Sequence, residues 1–278
     1  MIPVKLVDGS FVQSYSFGYA GENILAKPLY IEWDRTPGPA PVTVFTDSKL
    51  GEVGQHGPGK KVALLIESPA IRRGVYEQIV ELAPTFDVVL TFNMDLVEQG
   101  DPFRFYPLGG SWIPMRRWGM GNKTRLVSLL TSSKTGQEGH RLRHAIALRW
   151  PDMVDVYGAD YGGYVKSKIP TLEPYRYSVI IENTKHRSYF TEKLIDALCL
   201  GTVPIYWGTP DIGEFFDPDG IIQFDDLLDF EKVLGYIGPR DYTTRIVSIR
   251  RNLNTAREYR CPEDWLWRHY PGVFDASH

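Results

Sequence analysis

The chain has little cysteine, no long apolar run and no dominant charge. Cys199 and Cys261 are its only cysteines, too few for a disulfide framework or a metal cluster. Cys199 lies in the apolar run LIDALCLG, where a thiol serves as a small hydrophobe, and so low a count suits a reducing compartment. No apolar stretch approaches the length of a membrane span, and MIPVKLVDGS lacks the basic region and apolar core of a signal peptide. The expectation is a soluble, cytoplasmic protein. A net charge of −3 argues against a broad nucleic-acid footprint but leaves room for a local anion site. No GxxxxGK[ST] is present, and no GxGxxG follows a strand. No His, Cys and carboxylate set has metal spacing, and Asp217-Pro218-Asp219-Gly220 reads as a turn. Neither a metal nor a resident cofactor is therefore expected.

What is present is alternation. In the first half, Val4–Val7, Val42–Phe45, Val62–Ile66 and Val88–Phe92 are short apolar runs of the kind found in buried parallel strands. Arg72–Leu82 between the last two has helical spacing, and Pro84 follows it. The stretch from Phe103 to Lys123, rich in Gly, Pro and Trp, reads as an interdomain connection. The alternation then restarts. Leu126–Leu130, Val154–Tyr157, Tyr177–Ile181, Val203–Trp207 and Ile221–Phe224 are strand-like, while Glu138–Trp150, Thr191–Leu200, Phe230–Tyr236 and Tyr242–Glu258 are helix-like. Repeated strand–helix alternation argues for parallel sheets flanked by helices, and 278 residues accommodate two such domains. The reading is an α/β protein with domains at 1–120 and 121–262 and a C-terminal tail at 263–278.

Open parallel sheets bind ligands beyond the C-terminal ends of their strands. One such end is chemically unusual: the apolar strand YSVII stops at Glu182-Asn183 and leads into ENTKHRSYFTEK. Thr191 is a good N-cap for the next helix, and the helix dipole favours Glu192 in its first turn but disfavours Lys193 there. Either an anion binds in front of Lys193, or it is a solvated lysine paired with a nearby acid; local physics weighs the two evenly. A diphosphate held without metal needs cationic partners, for which Arg143 in GHRLRHAI and Lys193 are candidates. Glu67, at the end of VALLIE, is placed either to act as a general base or to cap the following helix.

The run YRYSVIIENTKHRSYFTEKLIDALCLGTVPIYWGTPDI resembles the signature of the α-1,3/4-fucosyltransferases, the tenth glycosyltransferase family. ALLIESPAI is similar to that family's Glu-Ser-Pro segment, HRLRHAIAL to its diphosphate-binding segment and VDVYG to a strand end; the likeness runs from about Lys60 onward and weakens after about Asp229. The resemblance implies two facing Rossmann-like domains of GT-B type, the first holding the acceptor and the base, the second binding a GDP-sugar. It implies a metal-independent, inverting transfer of L-fucose from GDP-β-L-fucose, a co-substrate rather than a cofactor. The acceptor would be a hydroxyl of an N-acetylglucosamine or glucose residue in an oligosaccharide or glycoconjugate. Carried over by residue, Glu67 would be the base, and Arg143 and Lys193 would neutralise the diphosphate. Tyr189 and Asn183 would contact phosphate or sugar, Glu192 the ribose, and Glu182 would orient the fucose or a neighbouring cation. A transferase of another GDP-sugar and a non-catalytic glycan- or nucleotide-binding module are the alternatives. The residues before Lys60 match nothing in the family; Glu32, Asp34 and His56 there are candidate acceptor contacts or simply solvated loop residues.

Overall fold

The computed structural model describes residues 1–9, 28–163 and 165–274. Contacts divide the chain into two compact units. Met1–Gly110, His186–Tyr189 and Cys261–His278 form the first; Ser111–Lys185 and Phe190–Arg260 form the second.

The first unit contains strands β1 (Ile2–Val7), β2 (Ile31–Asp34), β3 (Val42–Thr46), β4 (Lys60–Leu64), β5 (Val88–Thr91) and β6 (Phe103–Phe105). They form one sheet in the order β2-β1-β3-β4-β5-β6, and every neighbouring pair is parallel. Phe45, Ala63, Leu65 and Val89 pack with Val75 and Ile79 of helix Arg73–Leu82, the amphipathic segment read from the sequence. Strands β2 and β6 were not anticipated. They are the two edge strands, short enough that composition does not distinguish them from loop.

The second unit contains β7 (Arg125–Leu130), β8 (Asp155–Tyr157), β9 (Tyr175–Ile181), β10 (Val203–Trp207) and β11 (Ile222–Gln223), ordered β11-β10-β9-β7-β8 and parallel throughout. Side chains alternate across this sheet as strand geometry requires. Tyr177, Val179, Ile181, Val203, Ile205 and Trp207 enter one core cluster; Ile180 and Tyr206 enter the other, with Leu194, Ile195 and Leu198. Burial on both faces explains why these strands read as continuous apolar runs.

Three expectations need correction. The units divide after Gly110, not at 120/121: Ser111 Oγ donates to Asp196 at 2.8 Å and the Gly119 N–H to the Cys199 carbonyl at 3.0 Å, which ties this stretch to the second unit. Residues 263–274 are not a separate tail. Helix Pro262–His269 buries Glu263, Asp264, Trp265 and Leu266 in the first unit, where Trp33 Nε1 donates to Glu263 at 2.9 Å. The helix expected over Tyr242–Glu258 is two helices, Pro239–Thr244 and Ile246–Ala256. The Thr243 and Thr244 hydroxyls bond back to the Pro239 and Asp241 carbonyls at 2.8 and 2.7 Å, the competition with helix hydrogen bonding that favours a break. Among the described residues no helix is long and apolar enough to cross a membrane.

Candidate functional site

Because each sheet is parallel throughout, all its strand ends that can bear ligand groups lie along one edge. At that edge of the second unit, β9 gives way from the apolar Ile181 to Glu182, whose side chain is wholly buried. Glu182 accepts hydrogen bonds from Thr191 N at 2.9 Å, Thr191 Oγ1 at 2.8 Å and Lys193 Nζ at 3.3 Å. Thr191 caps helix Glu192–Cys199, its Oγ1 accepting from the Lys193 N–H at 3.4 Å. The carboxylate thus fixes where this helix begins. Two glycines make room for it. A Cβ on Gly139 would lie 1.8 Å from the Glu182 carbonyl oxygen, and one on Gly208 would lie 2.9 Å from Glu182 Cγ. At Gly139 the obstacle is backbone, which cannot give way to a side chain; at Gly208 the Tyr206 ring lies closer still, its hydroxyl 2.3 Å from that Cβ.

Lys193 is paired with Glu182 at 3.3 Å and Glu192 at 3.6 Å, yet keeps about a quarter of its side chain exposed. A second lysine, Lys168, lies 2.7 Å from Asp196 and 3.6 Å from Glu192, with its ammonium 4.2 Å from the centre of the Trp112 ring. Burial pushes the Glu192 carboxyl up, but Lys193 and Lys168 outweigh it and hold it down at about 2. Asp196 is buried, and burial raises its pKa even though Lys168 and the Ser111 hydroxyl oppose the shift. Glu192 therefore bridges two ammonium groups. Lys168 and Asp196 were not found from the sequence. Asp196 did leave a signal: a carboxylate inside the apolar helix LIDALC requires a buried partner. Lys168, in the irregular SKIPTLEP, left none.

Arg143 projects from helix Glu138–Arg149 and is 6% exposed. Its guanidinium donates to the Ile181 carbonyl and reaches Asn183 Oδ1 at 3.5 Å, so it braces the end of β9. The Asn183 carbonyl accepts from Gly139 N at 3.2 Å at the start of the same helix. His140 lies in that first turn, where burial and then Arg143 lower its pKa. Arg143, Glu182, Asn183, Glu192 and Lys193 are therefore gathered at the ends of β9 and the two helices beside it. Tyr189 is not: it belongs to the first unit, 2% exposed, with its ring 4.7 Å from that of Phe92. A cavity of about 270 Å³ adjoins the ends of β10 and β11, lined by Lys185, Tyr206, Gly208, Gln223 and Asp225.

In the first unit, Glu67 is half-buried three residues beyond β4. Its N–H donates to Asp47 Oδ2 at 3.4 Å and its carbonyl accepts from the Tyr76 hydroxyl at 2.9 Å. Another cavity of about 270 Å³ lies over the ends of β1 to β3, lined by Lys5, Asp8, Arg35, Thr36, Lys49 and His56. Of the early acceptor candidates only His56 lines it; Glu32 points outward from β2, and Asp34 binds Thr36. Among the described residues no three His, Cys, Asp or Glu side chains are grouped to hold a metal.

Residues 120–242 match the family described as glycosyltransferase family 10 (fucosyltransferase), C-terminal part. That match covers β7 to β11 and every charged group gathered at the end of β9. This segment is similar to glycosyltransferase family 10. The chain is 40% identical over 76 residues to alpha-(1,3)-fucosyltransferase FucT of Helicobacter pylori, covering 27% of this chain and 16% of that protein. It is 30% identical over 171 residues to alpha-(1,3)-fucosyltransferase 7 of Mus musculus, covering 58% of this chain and 40% of that one. Each match thus spans less than half of the relative's length. A crystal structure of an alpha1,3-fucosyltransferase with GDP superposes with a TM-score of 0.53 at 16% identity, over 95% of this chain and 93% of that one. At that identity the likeness concerns the fold, two Rossmann-like domains of the GT-B class.

Proposed function

We propose that the protein transfers L-fucose from GDP-β-L-fucose to a hydroxyl of a glycan, with inversion at the anomeric carbon. The observation that carries this reading is the pair of lysines, Lys193 and Lys168, held at the start of helix Glu192–Cys199 within the segment that matches family 10. A helix start with added ammonium groups is suited to a diphosphate. In the reaction the acceptor oxygen bonds to the anomeric carbon while the bond from that carbon to the GDP oxygen breaks, and GDP leaves with the electron pair. Glu67 takes the proton of the acceptor hydroxyl. Lys193 stabilises the charge growing on the leaving diphosphate, and Arg143 supports this by holding the end of β9. Glu182 orients Lys193. Glu192 contacts the ribose and Asn183 the phosphate or sugar.

With ammonium groups balancing the diphosphate, no metal or resident cofactor is required. The acceptor is a sugar residue of an oligosaccharide or glycoconjugate. The protein works in the cytoplasm, where its two free, buried cysteines remain reduced. The test is a thermal-shift and hydrolysis screen against GDP-fucose, GDP-mannose and UDP-sugars. GDP-fucose should stabilise the protein and be turned over. Stabilisation by a UDP-sugar alone overturns the proposal, and turnover of GDP-mannose in preference to GDP-fucose reassigns the donor.

A further inference from the structure

Parallel pairing of β3 with β4 brings the residues after these two strands side by side. Asp47 follows β3 directly and has no exposed surface. Its Oδ1 accepts from the Ile66 N–H at 3.0 Å and its Oδ2 from the Glu67 N–H at 3.4 Å. Its φ is +32°, a left-handed conformation that a side chain makes costly. The neighbouring Thr46 and Ser68 hydroxyls, also fully buried, have no hydrogen-bond partner. Burial pushes the Asp47 carboxyl up to about 6. A buried carboxylate, a left-handed aspartate and two orphaned hydroxyls are each unfavourable, and all occur at the one backbone junction that leads into Glu67. Local costs cluster in this way where function, not stability, has fixed the residues.

We propose that Asp47 is a positioning residue that holds the backbone of Ile66 and Glu67 and so aims the Glu67 carboxylate at the acceptor hydroxyl. This rests on the reading of Glu67 as the base. The ionised form of Asp47 accepts from both N–H groups; protonation turns one of those acceptors into a donor facing a donor. The charged and titratable groups that face Asp47 are Glu67 and Arg72, on the connection after β4, and Tyr76 on the helix that follows. Glu67 disfavours the Asp47 charge and Arg72 favours it.

The experiment compares the parent, Asp47→Asn and Glu67→Gln. GDP release from GDP-fucose is measured from about pH 5 to 8, with N-acetyllactosamine and with water as acceptor, together with GDP affinity and unfolding midpoint. Asp47→Asn should lower kcat about tenfold or more, because small misplacements of a reacting group are costly. Its GDP affinity should stay within about twofold of the parent, because the change lies in the unit that does not hold the donor. The parent should lose activity on acidification through about pH 6, and Asp47→Asn should lack that limb. Parent-like kcat in Asp47→Asn overturns the proposal, as does a loss of kcat matched by an equal loss of GDP affinity. Should the variant not fold, a parent profile flat across that range overturns it. Parent-like activity in Glu67→Gln removes the base itself, which separates failure of that reading from failure of this one.

Discussion

Replacing Lys193 by methionine tests two roles of one side chain at once. Lys193 Nζ lies 3.3 Å from Glu182, whose side chain is 0% exposed, and 2.9 Å from Thr191 Oγ1. At an effective dielectric of about 20 the ion pair is worth about 5 kcal/mol before desolvation is counted. The lysine remains 27% exposed, and Glu182 keeps both hydrogen bonds from Thr191, so the net loss should be nearer about 2 kcal/mol. For a domain of this size that lowers the unfolding midpoint by about 4–8 °C. Methionine retains the stem's packing, so the change is mainly electrostatic. If Lys193 also meets the diphosphate, a charge-assisted hydrogen bond worth about 1.5–3 kcal/mol disappears as well, weakening GDP about 10- to 150-fold. Urea unfolding gives the first quantity and calorimetric titration with GDP the second. A stability loss with GDP affinity unchanged would refute the phosphate role and leave Lys193 as the buried partner of Glu182 alone.

Two further outcomes follow from the same geometry. Gly139→Ala places a Cβ 1.8 Å from the Glu182 carbonyl oxygen, so the first turn of helix Glu138–Arg149 must move; stability should fall by about 3 kcal/mol and GDP affinity with it, and a variant indistinguishable from the parent in urea would contradict that packing. Glu263 is buried and its pKa is raised to about 7, chiefly by burial. Its proton is therefore bound more tightly in the folded chain, and the stability it contributes is complete below about pH 4.5 and lost as pH rises through about 7. Glu263→Gln should accordingly gain about 2 kcal/mol on the parent in going from about pH 5 to 8, measured as the difference in urea midpoints; an offset independent of pH would show that Glu263 does not titrate in this range.

Local chemistry was legible where one segment contained both the signal and its consequence. Val203–Trp207 reads as a strand because all its side chains are buried, and Thr191 reads as an N-cap because the helix it caps follows directly. Glu182 stood out as a carboxylate ending an apolar strand. Its partners did not, because Glu182 binds forward along the chain to Thr191 and Lys193, whereas the expectation directed it toward ligand or cation without choosing. The assignment of 263–278 as a tail failed for a comparable reason. Its burial depends on Trp33 and Tyr106, distant in sequence and invisible to periodicity.

By itself, then, the sequence determined the strand–helix alternation, the start of helix Glu192–Cys199 and the family resemblance of residues 120–242, since each is written in contiguous residues. Tertiary structure alone decided that Lys168 and Lys193 share Glu192, that Arg143 braces the end of β9, and that Asp47 holds the backbone of Glu67. Those contacts join residues that parallel strand order brings together from separate loops. Electrostatics in a buried site depends on distance in space, and sequence spacing does not encode it.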